Sequence, residues 1–185
     1  RDLIETSDGG VWAATDGGIN IFDPGASAFR NHRIADRDKK LHANWAYSIL
    51  EDTADNTLWV AGYLGGIFNE KLERFRTEGY SHLADTVIST TSGRLSGDLI
   101  GQMKSDRAGN KWVLHFRDSA LTRIDARTRE LSRVDIHTAT GQEPTMLCVD
   151  AAGDLWCGFY GGVVRVSPQG VVSDTIVRFP FGAGD

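Results

Sequence analysis

The stretch GDLWCGFYGG (153–162) puts one tryptophan, two small residues beside it and a glycine pair into a short span. Taken alone it reads as a glycine-rich binding loop. The rest of the chain argues otherwise, because the pattern recurs. GGVWAATDGGINIFD (9–23), NTLWVAGYLGGIFNE (56–70), GNKWVLHFRDSALTRID (109–125) and GDLWCGFYGGVVRVS (153–167) align on Trp12, Trp59, Trp112 and Trp156. These tryptophans are 47, 53 and 44 residues apart. Upstream, LHANWAYSILED (41–52) matches LSGDLIGQMKSD (95–106) at a second anchor, of which the fourth copy keeps MLCVD (146–150) and the first LIET (3–6).

Each copy divides into four short strands. In the second copy these are YSILED, TLWVAG, GIFNEK and ERFRT, and in the third GQMKSD, KWVLHF, ALTRID and ELSRVDI. Turns such as DPGAS, DAAGD and SPQG separate the strands, with Asp, Gly and Pro supplying the backbone angles that tight turns need. Tandem units of this length with four strands each are the signature of a β-propeller. The predicted fold is therefore all-β: four consecutive four-stranded blades, covering about residues 1–35, 46–80, 99–137 and 145–181. The start in mid-pattern at RDLIE and the tail TIVRFPFGAGD suggest a segment of a larger propeller, of about seven blades. Inner strands covered on both faces should read as apolar runs, as LWVAG and LWCGF do. Trp12, Trp59, Trp112 and Trp156 are expected to be structural, filling the wedge between blades.

The 185 residues carry a net charge of -5. A mildly acidic chain gives no electrostatic reason to expect nucleic acid. A basic stretch from Lys104 to Arg133 alternates with polar residues and reads as a solvated strand face. Cys148 and Cys157 flank one hairpin. If its turn centres on Ala152–Gly153 they face each other, and two buried thiols are expected rather than a strained disulfide. No Cys/His cluster suggests zinc, and Asp52, Asp55 and Asn56 offer too few oxygens for calcium, so neither metal nor cofactor is expected.

The pattern I/L-x-x-D-x-x-G-x-L-W-x-G followed by a Gly-Gly pair, fullest in VDAAGDLWCGFYGGVVRV and good in LEDTADNTLWVAGYLGGIF, resembles the two-component regulator propeller repeat. In that family such repeats build periplasmic propellers ahead of a membrane span and a histidine kinase, and many of these receptors sense oligosaccharides. The resemblance implies a non-catalytic, ligand-sensing segment of a membrane-anchored sensor, periplasmic or extracellular. Expected partners are an oligosaccharide or other small molecule, the remaining blades, and a second protomer in the full receptor. The alternatives are a streptogramin lyase-like or glycan-processing propeller, and a protein-binding scaffold. A lyase of that kind needs histidines converging on one pocket, and only His115 lies beside a repeat tryptophan.

Propeller ligands meet loops at one end of the channel, here the turns between second and third strands and the connections between blades. Candidate ligand residues are Asn44 and Trp45 at a connection, Tyr63, Phe159 and Tyr160 at corresponding turns, and His115, Arg117 and Asp118 in the third copy. That copy has lost its glycine turn, and broken local rules often mark function. An aromatic there can stack on a sugar ring, and an arginine can hold a carboxylate or sulfate.

Overall fold

In a computed structural model the described residues are 1–32, 45–62, 66–73, 88, 95, 97 and 99–179. They form two compact units, Arg1–Gly101 and Gln102–Asp185. The first unit holds an antiparallel sheet of β1 (Asp2–Glu5), β2 (Val11–Thr15), β3 (Gly18–Asp23) and β4 (Ala28–His32), joined in chain order. Its second sheet is β5 (Ala46–Asp52), β6 (Thr57–Gly62) and β7 (Gly66–Lys71); the predicted fourth strand, ERFRT, falls mostly outside the described residues. The second unit contains β8 (Ile100–Ser105), which enters across the boundary, then β9 (Lys111–His115), β10 (Ala120–Ile124) and β11 (Leu131–Asp135). A single-turn helix α1 (His137–Thr140) follows, and then a sheet of β12 (Pro144–Val149), β13 (Leu155–Phe159), β14 (Gly162–Val166) and β15 (Val172–Arg178). Every sheet is a meander of neighbouring strands, as the repeat predicts.

The turn before each tryptophan explains the repeat chemically. Three residues ahead of the tryptophan the backbone is left-handed in all four copies: Gly9 (φ 80), Asn56 (φ 56), Gly109 (φ 82) and Gly153 (φ 78). Glycine adopts this conformation freely and asparagine tolerates it. Six residues ahead of Trp112 and Trp156 stands an aspartate. Asp106 Oδ1 accepts the N–H groups of Ala108 and Asn110, and its Oδ2 accepts the Trp112 indole N–H at 2.8 Å. Asp150 does the same for Ala152, Asp154 and the Trp156 indole, also at 2.8 Å. The indole bond, followed by the backbone donors, holds the Asp150 carboxyl below the ordinary carboxylate range. One side chain thus shapes the turn and orients the tryptophan. In the first copy Thr6 takes the place of the aspartate and bonds Asp8 Oδ1 and Gly10 O.

Packing within each unit joins the two sheets. Trp12, Ile19, Ile49, Val60 and Phe68 share one core; Trp112, Leu121, Leu147, Cys157 and Val164 share the other. The same link also recurs at the inner strands of both units. Asp2 Oδ2 accepts the Ile49 N–H at 3.1 Å, and Gln102 Oε1 accepts the Leu147 N–H at 2.6 Å. Asp2 and Gln102 are equivalent repeat positions, as are Ile49 and Leu147. In both receiving strands the register shifts just before the donor, between Ala46 and Ser48 and between Pro144 and Met146. That bulge turns one N–H out of its own ladder toward the neighbouring sheet. At the opposite edge of the second unit, Arg123 and Asn110 donate to Pro168 O in the turn between β14 and β15, at 2.6 and 3.2 Å.

Three expectations change. Cys148 and Cys157 do not face each other: Cys148 pairs with Trp156 and Leu147 with Cys157, so the thiols point to opposite faces. The pairing register is one residue off the assumed one, and a one-residue register shift reverses every side chain. Cys148 is exposed and Cys157 buried, and both are free. Burial pushes the Cys157 thiol up to about 12. Brief iodoacetamide treatment of the native protein followed by peptide mass spectrometry should therefore label Cys148 and spare Cys157; equal labelling would contradict this packing. Second, the basic stretch is not all solvated. Lys111 is 1% exposed, its ammonium donating to Gly109 O at 2.6 Å. Third, Trp156 is only half-buried, whereas Trp12, Trp59 and Trp112 are buried.

Candidate functional site

The turns that precede the repeat tryptophans lie at one end of each sheet. Among the described residues, the starts of the inner strands, the turns between second and third strands and the ends of the fourth strands therefore lie at the other. In the first unit this end carries Arg1, Asp16, Trp45 and Tyr47. Arg1 donates from Nε and Nη2 to both oxygens of Asp16, at 2.6 and 2.8 Å. Its guanidinium also lies over the Tyr47 ring, 4.3 Å from the centroid. A planar cation held by a forked pair and stacked on an aromatic face is a pre-organised surface. The pair, with the side-chain hydrogen bond as first cause, raises Arg1 and lowers Asp16. Trp45, 42% exposed, stands two residues before Tyr47 on the way into β5. Asn44 and Tyr63 lie outside the described residues.

At the corresponding end of the second unit the predicted residues separate. His115 is not available to a ligand: it is buried at the end of β9 with Nε2 2.8 Å from Thr122 Oγ1. Phe159 is not at the turn either. It ends β13 within the core, and its ring lies over Gly162, where a Cβ would come within 2.7 Å of Phe159 Cζ. An apolar ring at the last position of a buried strand has more to gain from the core than from solvent. Asp118 is engaged by the protein itself, accepting Arg133 Nη2 at 2.7 Å and Nη1 at 3.0 Å. Arg117 and Tyr160 are exposed, Tyr160 at 74%. Arg117 takes the left-handed conformation (φ 60) that Gly161 (φ 90) takes in the fourth copy.

Sequence reasoning missed Arg1 and Tyr47. Tyr47 could have been found, since it occupies the bulge position of an inner strand, two residues past a tryptophan already singled out. Arg1 could not, because its role depends on a partner across the sheet. Two shallow cavities were also not foreseen. One of about 200 Å³ lies on the outer strands of the first sheet, lined by Ile21, Phe22, Asp23, Pro24, Arg30 and His32. The other, about 260 Å³, is lined by Ser7, Asp8, Asn56, Leu72 and Glu73 at the opposite end from Arg1. Among the described residues no group of His, Cys, Asp and Glu is arranged to hold a metal ion, and no helix is long and apolar enough to cross a membrane.

Comparison with known proteins decides the lineage. Two crystal structures of the extracellular domain of BT4673 from B. thetaiotaomicron, one described as a one-component and one as a hybrid two-component system, are 35% and 34% identical to the chain. They superpose with a TM-score of 0.85 over 97% and 98% of it. The chain belongs to the two-component regulator propeller family. This propeller segment spans 24% of the BT4673 structures. The extracellular domain of the hybrid two-component system BT3049 from B. thetaiotaomicron is 16% identical, with a TM-score of 0.69 over 95% of the segment and 23% of that chain. A streptogramin B lyase is also 16% identical, with a TM-score of 0.67 over 96% of the segment and 54% of the lyase. The last two likenesses concern the fold alone: consecutive blades of a β-propeller. No family model and no curated protein matches the chain.

Proposed function

We propose that the segment is part of the ligand-sensing, extracytoplasmic propeller of a membrane-anchored two-component sensor kinase. It binds an oligosaccharide and carries out no chemistry itself. The family supports the sensing role. The observation that carries the ligand is the cluster of Arg1, Asp16, Trp45 and Tyr47 at the inner-strand end. Aromatic faces stack on the apolar face of a sugar ring, while a forked guanidinium–carboxylate pair offers directional partners to its hydroxyls.

The remaining blades are the proposed partners of the outer sheets, and a second protomer is the proposed route of signal transfer. Leu3 is 64% exposed, whereas its repeat equivalents Ile49 and Leu147 are covered by the preceding sheet in their own units. The half-buried face of Trp156 is likewise where the next blade would pack.

Calorimetric titration of the complete extracellular domain with a panel of neutral and acidic oligosaccharides tests the reading. Trp45→Ala and Tyr47→Ala are each expected to weaken the ligand that binds by roughly tenfold or more. Wild-type affinity in both variants would remove this surface from the site.

A further inference from the structure

We infer that the rim of the second unit around Arg117 is an anion subsite that takes the carboxylate or sulfate of an acidic oligosaccharide. This rests on the sensing reading above. Arg117 and Asp118 are adjacent in a turn, and the simplest outcome would be mutual neutralisation. The structure prevents it. Both Asp118 oxygens are held by Arg133, and Oδ1 also accepts the Ala120 N–H. Arg117 itself makes no hydrogen bond or ion pair among the described residues. The other nearby carboxylate, Asp135, accepts the N–H and hydroxyl of Thr138 at the start of α1. Glu143, at the end of the connection, forms no ion pair with Arg117. An exposed guanidinium with its local acids committed elsewhere is free to engage an incoming anion through two parallel N–H donors.

The surroundings add a binding surface. The connection carrying α1 is tied to the Arg117 turn, because the Ile136 and His137 N–H groups both donate to Ser119 O at 3.1 Å. On its other side α1 packs against β15. There Arg178 pairs with Gly162 in register, and its guanidinium lies 6.0 Å from the Phe159 ring, with no ion pair among the described residues. Exposed Phe116 and Tyr160 lie in the two turns of this rim. Cations and aromatic faces at one rim match an anionic ligand with an apolar ring face.

The test uses three probes on the complete extracellular domain: a uronate-bearing disaccharide, its carboxyl-reduced form and its sulfated form. The quantity read is the ratio of acidic to neutral affinity. In the wild type the acidic forms should bind roughly tenfold tighter, with a preference that falls as salt is raised. In Arg117→Gln the ratio should fall to about one. Arg129→Gln, at an arginine that is also left-handed but lies in the turn between β10 and β11, should keep the preference. If it survives Arg117→Gln, or is absent in the wild type while neutral sugars bind and Trp45→Ala weakens them, the anion subsite is wrong and the sensing reading stands. If none of the three binds, the subsite is wrong, and the wider panel decides the sensing reading. A preference for sulfate over uronate, or the reverse, identifies which anion the subsite takes.

Discussion

Trp112→Ala is expected to lower stability by about 3–5 kcal/mol, read as a lower urea midpoint for the complete extracellular domain. Trp112 is 0% exposed and sits in the core that joins both sheets of the second unit. Alanine there removes the largest side chain of that core and leaves a cavity that rigid sheets on either side cannot close. It also strips one partner from Asp106 Oδ2, which retains the Asn110 amide at 2.8 Å. Trp112→Phe separates the two effects. It keeps most of the apolar volume and loses the indole N–H, so it should cost less, about 1–2 kcal/mol. Trp156→Ala should also cost less than Trp112→Ala, because Trp156 is only half-buried. Equal losses for Trp112→Ala and Trp156→Ala would show that the second unit does not pack as described.

Gly153→Ala should destabilise by about 2–4 kcal/mol, whereas Gly9→Ala should cost only about 1 kcal/mol. The two glycines hold the same repeat position with nearly the same backbone angle, φ 78 and φ 80. Left-handed backbone penalises alanine equally at both. The difference is tertiary. A Cβ at Gly9 meets nothing within 4 Å. At Gly153 it would overlap the Arg107 Cβ and lie 3.1 Å from the Arg107 Cα. Gly153 O accepts the Arg107 N–H at 2.8 Å, so the two turns are locked together and cannot separate without losing that bond. Denaturant midpoints of the two variants give the comparison. Similar losses at both positions would mean that the contact between these turns has no energetic weight.

Most of the fold was legible because the repeat writes the same solution several times. The strands TLWVAG and GIFNEK coincide with β6 and β7, and the third-copy strands agree to within a residue. Those segments combine period-two or continuous apolar runs with Asp/Gly turns, and both signals are local. The candidate site was less legible. Trp45, Arg117 and Tyr160 are exposed at the expected end, but His115 and Phe159 went into the interior and Asp118 was claimed by Arg133. Sequence spacing can place a residue at a strand end without telling whether its side chain turns to the core or to solvent. The cysteine pair shows how little separates the outcomes: a pairing register shifted by one residue put the thiols on opposite faces.

By itself, then, the sequence determined the blade: its strands, its turns, the left-handed position before each tryptophan, and the aspartate that can reach the indole. These follow from interactions among residues close along the chain. Only the tertiary structure decided which of four similar turns is locked against a neighbour and which is open. It also decided that Arg1 stacks on Tyr47 while Arg117 has no counter-charge among the described residues. The turn contact and the Arg1 stacking depend on partners about one repeat length along the chain, where the neighbouring sheet either supplies an atom or does not, and the Arg117 outcome depends on Arg133 reaching Asp118 across its own sheet.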